Sequence, residues 1–162
     1  MYIEKWKDVA FGSDYGGDFQ LFLEEIPKDI LTLSDIYERC DIKKYLDQPD
    51  LLNLQPDNNV YLHNTDFNQF IHYEDAIIAL SAIIAESQIN GSTDLTKAYG
   101  SKTLIFDISK YELIPLLNAM TNIYNNPEKF ILFELLDKNE KAETTSVIKE
   151  IIEQTRKIID NT

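Results

Sequence analysis

The longest run of apolar positions in the chain predicts a buried central helix from Tyr73 to Ile89. Between Ala76 and Ala85 the segment leaves almost no polar face, which is typical of a helix covered by other elements on more than one side. Glu74 and Asp75 fall in its first turn, near the positive end of the helix dipole. The dipeptide Asn90-Gly91 supplies a left-handed stop, so the sequence defines both ends of this helix.

Two strands with a helix between them are predicted after the central helix. Thr103 to Ile108 and Phe130 to Leu136 are rich in Ile, Phe and Leu and are bounded by turn residues, as strands are. Ser109 and Glu112 have the spacing of a capping box that starts a helix. Pro115 either kinks this helix or lies in its first turn. The order suits a right-handed crossover, and an antiparallel arrangement is the alternative.

The last predicted helix, about Thr145 to Ile159, is amphipathic and is expected to pack across a sheet. The elements of the first half are shorter and less regular. They are Met1 to Val9 as an edge strand or short helix, a tight turn at the glycine cluster FGSDYGGD, a strand through Phe19 to Leu23 ending before Pro27, a helix from Thr32 to Ile42 with Ser34 as N-cap, a surface loop from Asp47 to Asn59, and a short strand at Val60 to Leu62.

These elements predict an α+β fold. We expect a small sheet of about four to five strands, packed with the buried central helix and the C-terminal amphipathic helix. The length of 162 residues suits a single α+β domain over residues 1–162. No repeat of fixed period divides the chain, which disfavours solenoids and propellers.

Acidic residues dominate the charge and change the range of expected partners. The formal net charge is -13, and residues 1–75 hold 16 acidic against 6 basic residues. Such a chain is not expected to bind nucleic acid or an anionic membrane, since both attract cationic proteins. The start of the chain has no signal-peptide core, and the single cysteine, Cys40, fits a reducing cytoplasm as a buried apolar side chain.

Candidate chemistry is sparse. The two histidines, His63 and His72, have Asp66, Glu74 and Asp75 nearby, but their spacing matches no recognised metal motif. We interpret these residues as polar groups around the start of the buried helix, with His72 as its cap. Cys40 lacks a nucleophile motif, and the aspartates of the glycine cluster would repel a phosphate. We therefore expect no catalytic residue, no cofactor and no metal.

A small, acidic, cysteine-poor α+β chain without a catalytic constellation resembles the immunity proteins of contact-dependent growth inhibition and other polymorphic toxin systems. The buried stretch YEDAIIALSAIIAESQING is similar to the central helix of such proteins. The resemblance implies a stoichiometric inhibitor of a cognate toxin C-terminal domain, often a basic nuclease, whose active site or exosite it blocks. It implies no particular inhibitory residues, because these families share none.

The charge pattern itself suggests which residues would contact a basic protein partner. We expect acidic side chains of predicted loops to attract the partner and aromatic side chains to anchor it. The predicted contact residues are Asp14, Asp18, Asp47, Asp50 and Asp57, with Tyr15, Tyr45, Tyr61 or Trp6 as aromatic anchors. Two alternatives are a small enzyme built around His63 or His72 with carboxylates, and an adaptor subunit whose acidity serves solubility alone.

Overall fold

A computed structural model of the chain describes residues 2–52, 59–64, 67–134 and 136–161, with the backbone alone at 59–64 and 67–71. Within these residues the chain forms short strands and many helices. The helices are α1 (Ile3–Ala10), α2 (Asp14–Glu24), α3 (Leu33–Tyr37), α4 (Ile42–Asp47), α5 (Pro49–Leu52), α6 (Tyr73–Asn90), α7 (Leu113–Asn125), α8 (Ile131–Glu134) and α9 (Lys138–Asp160). The strands are β1 (Ile30–Leu31), β2 (Asn59–Asn64), β3 (Phe67–His72), β4 (Thr93–Asp94) and β5 (Thr103–Phe106).

Helix α6 forms the centre of the molecule, as the sequence predicts. Every residue from Tyr73 to Ser87 is buried, because α1, α2, α7 and α9 cover the helix from different sides. Gly91 ends it with a φ of 84°, and the Gly91 N–H donates to the Ser87 carbonyl oxygen at 2.7 Å. None of the helices among the described residues is long and apolar enough to cross a bilayer.

The strands form two separate small sheets, so the α+β class fits but a sheet of four to five strands is wrong. β5 is the middle strand of three, parallel to β1 and antiparallel to β4. β2 and β3 pair with each other as an antiparallel hairpin, which lies beside α2. The predicted strands at Thr103 and Val60 are confirmed within β5 and β2. The predicted sheet fails because β1, β4 and β5 are only two to four residues long.

The segment after the glycine cluster is helical rather than extended. Phe19, Phe22 and Leu23 are buried, and their spacing of three and four residues places them on one face of α2. Ser13 caps this helix by accepting the Gly16 N–H at 3.1 Å. The predicted tight turn is therefore wrong in its second half, because Gly16 and Gly17 lie inside α2.

The predicted strand from Phe130 to Leu136 is wrong as well. Ile131–Glu134 forms the single helical turn α8, and Phe130 and Phe133 are buried three residues apart. Without a strand here, no crossover follows α7. Helix α9 begins earlier than predicted, at Lys138, and it packs against α1, α6 and α7 rather than across a sheet.

Local capping signals explain where several other elements begin. Thr32, not Ser34, is the N-cap of α3, since Thr32 and Asp35 form a reciprocal capping box. The predicted helix from Thr32 to Ile42 is divided into α3 and the start of α4, and the predicted loop after Asp47 contains α5. The Ser109–Glu112 capping box is confirmed, and α7 starts with Pro115 in its first turn. The first segment is helix α1, the second of its two predicted conformations.

Two glycine substitutions test the backbone at the end of α6 and inside α2. Gly91→Ala should destabilise the protein by about 1 kcal/mol, because its left-handed backbone disfavours any Cβ. Gly17→Ala should stabilise it by about 0.5–1 kcal/mol, because the new methyl group would lie in a helix with only an ordinary contact to the Phe11 carbonyl oxygen, 3.4 Å away. Urea unfolding of both variants measures the difference, and equal effects would contradict this assignment of the two positions.

Candidate functional site

A surface groove of about 270 Å³ runs between the start of α2 and the exposed side chain of Tyr99. We call it the acidic groove and define it by Phe11, Gly12, Ser13, Asp14, Gly17, Asp18, Gln20, Leu21 and Tyr99. Asp14, Asp18 and Leu21 are spaced at four and three residues, so they follow one face of α2. The groove therefore combines negative charge with exposed apolar surface on a single helix.

The carboxylates of the acidic groove are close enough for the charge of Asp14 to act on Asp18. Partial burial raises the pKa of Asp18, and the nearby charge of Asp14 raises it further. Asp8 lies next to the groove and accepts a hydrogen bond from the Tyr99 hydroxyl. No basic side chain is among the residues that line the groove, although the Lys7 ammonium lies 5.1 Å from the centre of the Tyr99 ring. The groove is consequently an anionic surface.

Tyr99 is the most unusual residue of the groove. Its side chain is 64% exposed, and its φ of 68° is in the left-handed region that non-glycine residues rarely adopt. Such a conformation costs about 1–3 kcal/mol and persists where the surroundings enforce it. Here the Gln20 amide donates to the Ala98 carbonyl oxygen at 2.8 Å, and Gly100 N–H donates to the Leu95 carbonyl oxygen at 2.7 Å.

A buried carboxylate fixes the loop that carries Tyr99. Glu24, near the end of α2, accepts the backbone N–H groups of Ser101 and Lys102 at 2.7 and 2.8 Å. The Lys102 ammonium donates back to the Glu24 carbonyl oxygen at 2.6 Å. These bonds tie the loop to the same helix that provides Asp14 and Asp18. The exposed tyrosine is thus held in a fixed position relative to the acidic side chains.

A second cluster lies beneath the groove, where β3 meets α6. We call His72, Glu74 and Asp75 the buried carboxylate cluster. Ser13 connects it to the groove, because its hydroxyl donates to Asp75 Oδ1 at 3.0 Å while it caps α2. The Tyr15 ring stacks on the imidazole of His72 with centroids 4.2 Å apart. His72 occupies the N-cap position of α6, but its side chain makes no capping hydrogen bond, so its predicted capping role is wrong.

Burial dominates the electrostatics of this cluster. Glu74 is 0% exposed, and the loss of hydration, with the charge of Asp75, raises its pKa to about 8. Burial raises the pKa of Asp75 to about 7, although the Ser13 hydroxyl lowers it in part. Burial also lowers the pKa of His72. Just below a pH of about 7, all three groups therefore favour their neutral forms. Among the described residues no lysine or arginine forms an ion pair with them.

The structure brings together only some of the predicted contact residues. Asp14 and Asp18 both line the acidic groove, but they lie in α2 rather than in a loop. Tyr15 is half-buried against His72. Asp47 and Asp50 are exposed at the end of α4 and in α5, so these two are also helical rather than in a loop.

The remaining predicted anchors are not on the described surface. Tyr45 is 8% exposed, and its ring packs 4.5 Å from that of Tyr73, so it is a core residue in this structure. Trp6 is also fully buried. Asp57 lies outside the described residues, and of Tyr61 the structure describes only the backbone, in β2. Cys40 is buried as expected, and its burial raises the pKa of the thiol to about 12.

Three residues of the site are not predicted from the sequence. Leu21 falls within the predicted strand from Phe19 to Leu23, whereas the helical spacing of Phe19 and Phe22 indicates that it points outward. Tyr99 precedes a glycine in a turn, which was the only local signal of its special backbone. Glu24 contacts residues far along the chain, so no local pattern could have identified its role.

Comparison with known proteins gives one finding. A family model, Imm68, described as Immunity protein 68, matches residues 2–155. This range includes both the acidic groove and the buried carboxylate cluster. No curated protein and no solved structure matches the chain.

The buried carboxylate cluster should make stability depend on pH. Since burial raises the pKa of Glu74 and Asp75, the folded state binds protons that the unfolded state releases, and stability should fall as pH rises from about 4 to 8. EDTA in the buffer keeps metal ions away from the carboxyl groups. Under these conditions Glu74→Gln should reduce the difference in the free energy of unfolding between pH 5 and pH 8 by on the order of 2 kcal/mol. Urea unfolding at both pH values measures it.

Glu153→Gln is the matched control, because it removes an exposed carboxylate from α9. It should leave the pH dependence close to that of the wild type. If both variants show the wild-type pH dependence, Glu74 does not hold a proton in the folded state.

Proposed function

Because this chain belongs to the Immunity protein 68 family, we propose that it binds a cognate bacterial toxin domain and neutralises it, with the acidic groove as part of the contact surface. The family match over residues 2–155 is the observation that carries this proposal. The toxin we propose is the C-terminal domain of a polymorphic toxin, of the kind used in contact-dependent growth inhibition. Inhibition takes place in the cytoplasm, by occupation of the toxin surface and without a chemical reaction.

The charge of the chain supports a basic toxin domain, such as a nuclease. A nuclease presents Lys and Arg to nucleic-acid phosphates, and a protein of net charge -13 offers the complementary field. Complementary charge mainly accelerates association and orients the two surfaces. Asp8, Asp14 and Asp18 would provide this attraction at the groove.

A few residues would provide most of the affinity of such a complex. Interface hot spots are enriched in tyrosine and lie in well-packed positions near the centre of a contact. Tyr99 is a large, exposed side chain whose backbone is already fixed, so little conformational entropy would be lost on binding. The exposed Leu21 adds apolar surface beside it.

A second pair of exposed carboxylates would extend the contact or guide the encounter, and one of them, Asp47, also forms an ion pair with a lysine one turn earlier in α4. Asp47 and Asp50 are exposed at the corner between α4 and α5. Asp57 and Tyr61 remain in the proposed contact set on the strength of the sequence alone. Tyr45 is left out, since its ring belongs to the core.

The buried carboxylate cluster supports a binding protein over the alternative of a small enzyme. His72 is the one described histidine side chain, and it lies beneath Tyr15 with 5% of its surface exposed. Glu74 and Asp75 are buried as well, which disfavours contact of a substrate with any of the three in the described part of the chain. We propose that the chain acts as a single domain over residues 1–162 and forms a stoichiometric complex.

Growth rescue tests this function directly. The cognate toxin domain would be sought at the C-terminus of any large secreted protein that is encoded immediately upstream. Co-expression of this chain with that domain should restore growth of a sensitive cell, because the complex blocks the toxin. Failure to rescue, with both proteins soluble, would contradict the proposal.

Charge exchange tests the contribution of the acidic groove. The double variant Asp14→Lys with Asp18→Lys should lower the association rate with the toxin domain by about tenfold or more at low salt, and added salt should reduce the difference. The control is Glu143→Lys with Glu153→Lys, which makes the same change in net charge on the exposed face of α9. Stopped-flow binding measures both. Equal losses would show that overall charge matters and the groove does not.

Removal of one exposed ring tests the proposed hot spot. Tyr99→Ala should weaken toxin binding by about 2 kcal/mol, or roughly 30-fold, mainly through faster dissociation. Tyr111→Ala is the control, since Tyr111 is 72% exposed and also lies beside a lysine ammonium, that of Lys110. Surface plasmon resonance distinguishes the two. A loss confined to Tyr111→Ala would place the interface elsewhere.

A further inference from the structure

The buried carboxylate cluster has the composition of a metal site. His72, Glu74 and Asp75 each offer one ligand atom, and these three atoms lie within 4.8 Å of one another. His72 Nδ1 and Glu74 Oε1 are 3.6 Å apart. Two ligands of a tetrahedral zinc ion at about 2.1 Å are separated by about 3.4 Å, so this pair already has the spacing required.

The oxygens of the cluster lack the partners that buried polar atoms normally have. Both carboxylate oxygens of Glu74 and the Oδ2 of Asp75 are buried and make no hydrogen bond within the described part of the chain. The backbone N–H groups of Glu74 and Leu132 lower the pKa of Glu74 in part, but neither group makes a hydrogen bond to its oxygens. Three buried oxygens without partners on adjacent residues are costly, because burial removes their hydrating water without replacing it.

A divalent cation held by one ligand atom from each residue would provide the partner that these carboxylates lack. It would neutralise two carboxylates that no arginine or lysine approaches among the described residues, and it would accept the imidazole nitrogen as a further ligand. One nitrogen and two oxygen ligands suit zinc and neighbouring transition metals, whereas Mg²⁺ and Ca²⁺ prefer oxygen alone.

We propose that His72, Glu74 and Asp75 bind a divalent transition-metal ion of the zinc type at the junction of β3 and α6. The ion has a structural role, because its three ligands are buried and the Tyr15 ring stacks on the imidazole of His72. Asp75 Oδ1 keeps its hydrogen bond from Ser13, which leaves Oδ2 available to the metal. Such an outer contact orients a ligating carboxylate.

The site also links the core to the acidic groove. Ser13 caps α2 and contacts Asp75, and Tyr15 of the same helix stacks on His72. A bound ion would therefore fix the start of α2, which carries Asp14 and Asp18. This inference concerns the chain alone and does not depend on toxin binding.

Zinc titration of the untagged, full-length chain tests the proposal. After removal of metals with EDTA and dialysis, calorimetry with ZnCl₂ should show one ion per chain. Excess Zn²⁺ should raise the Tm by about 5 °C. MgCl₂ and CaCl₂ at the same concentrations should have no such effect. Absence of stoichiometric zinc binding by the folded wild-type chain would overturn the proposal.

Substitutions of the proposed ligands test where zinc binds. Glu74→Gln and His72→Gln should each weaken zinc binding by at least about tenfold and lose the increase in Tm, because each removes one ligand. Glu153→Gln should bind zinc as the wild type does, since it alters an exposed carboxylate on α9. Unchanged binding in both ligand variants would overturn the assignment to this cluster.

A crystallographic measurement keeps the test decisive if a ligand variant fails to fold. Anomalous diffraction of the zinc-loaded wild type at the zinc edge should place one peak between His72, Glu74 and Asp75. A peak at His63 or on surface carboxylates, with none in the cluster, would contradict the proposal.

Discussion

Helix α6 has no side that can face water, and the rest of the molecule is arranged to cover it. Its residues from Tyr73 to Ser87 are buried, so α1, α2, α7 and α9 must each contribute an apolar face. Burial of apolar side chains is the main stabilising term in folding, and this helix provides much of that surface. The strands β3, β4 and β5 and the short helix α4 also contact α6 and complete its cover.

The need to cover α6 also determines where the carboxylates of α6 and α2 lie. The first turn of α6 carries Glu74 and Asp75 into the interior, and α2 covers them with Ser13 and Tyr15. Because α2 buries Phe19 and Phe22 against the core, its opposite face must hold Asp14, Asp18 and Leu21. One helix therefore connects an interior cluster of carboxylates with an exterior groove, and both result from covering α6.

The sequence was informative where a pattern is local and long. The boundaries of α6, the Ser109–Glu112 capping box and the existence of α9 could be predicted, since each depends on residues within a few turns. The runs at 19–23 and 130–136 were misassigned, because a short apolar run fits a strand and a helix equally well and tertiary packing decides between them. Asp14 and Asp18 could be proposed from acidity alone. The roles of Tyr99 and Glu24 depend on a turn conformation and on contacts between distant segments, which composition does not reveal.

The two acidic surfaces, the α4–α5 corner and the acidic groove, differ in the apolar side chains beside them. Asp47 and Asp50 are exposed, but the nearest aromatic side chain along the chain, Tyr45, is buried against Tyr73. Charge without an exposed apolar anchor accelerates encounters and contributes little to the lifetime of a complex. At the groove the carboxylates stand beside Tyr99 and Leu21, whose burial could slow dissociation. If a basic toxin is the partner, the α4–α5 corner would therefore act mainly in its capture, and the groove would act mainly in its retention.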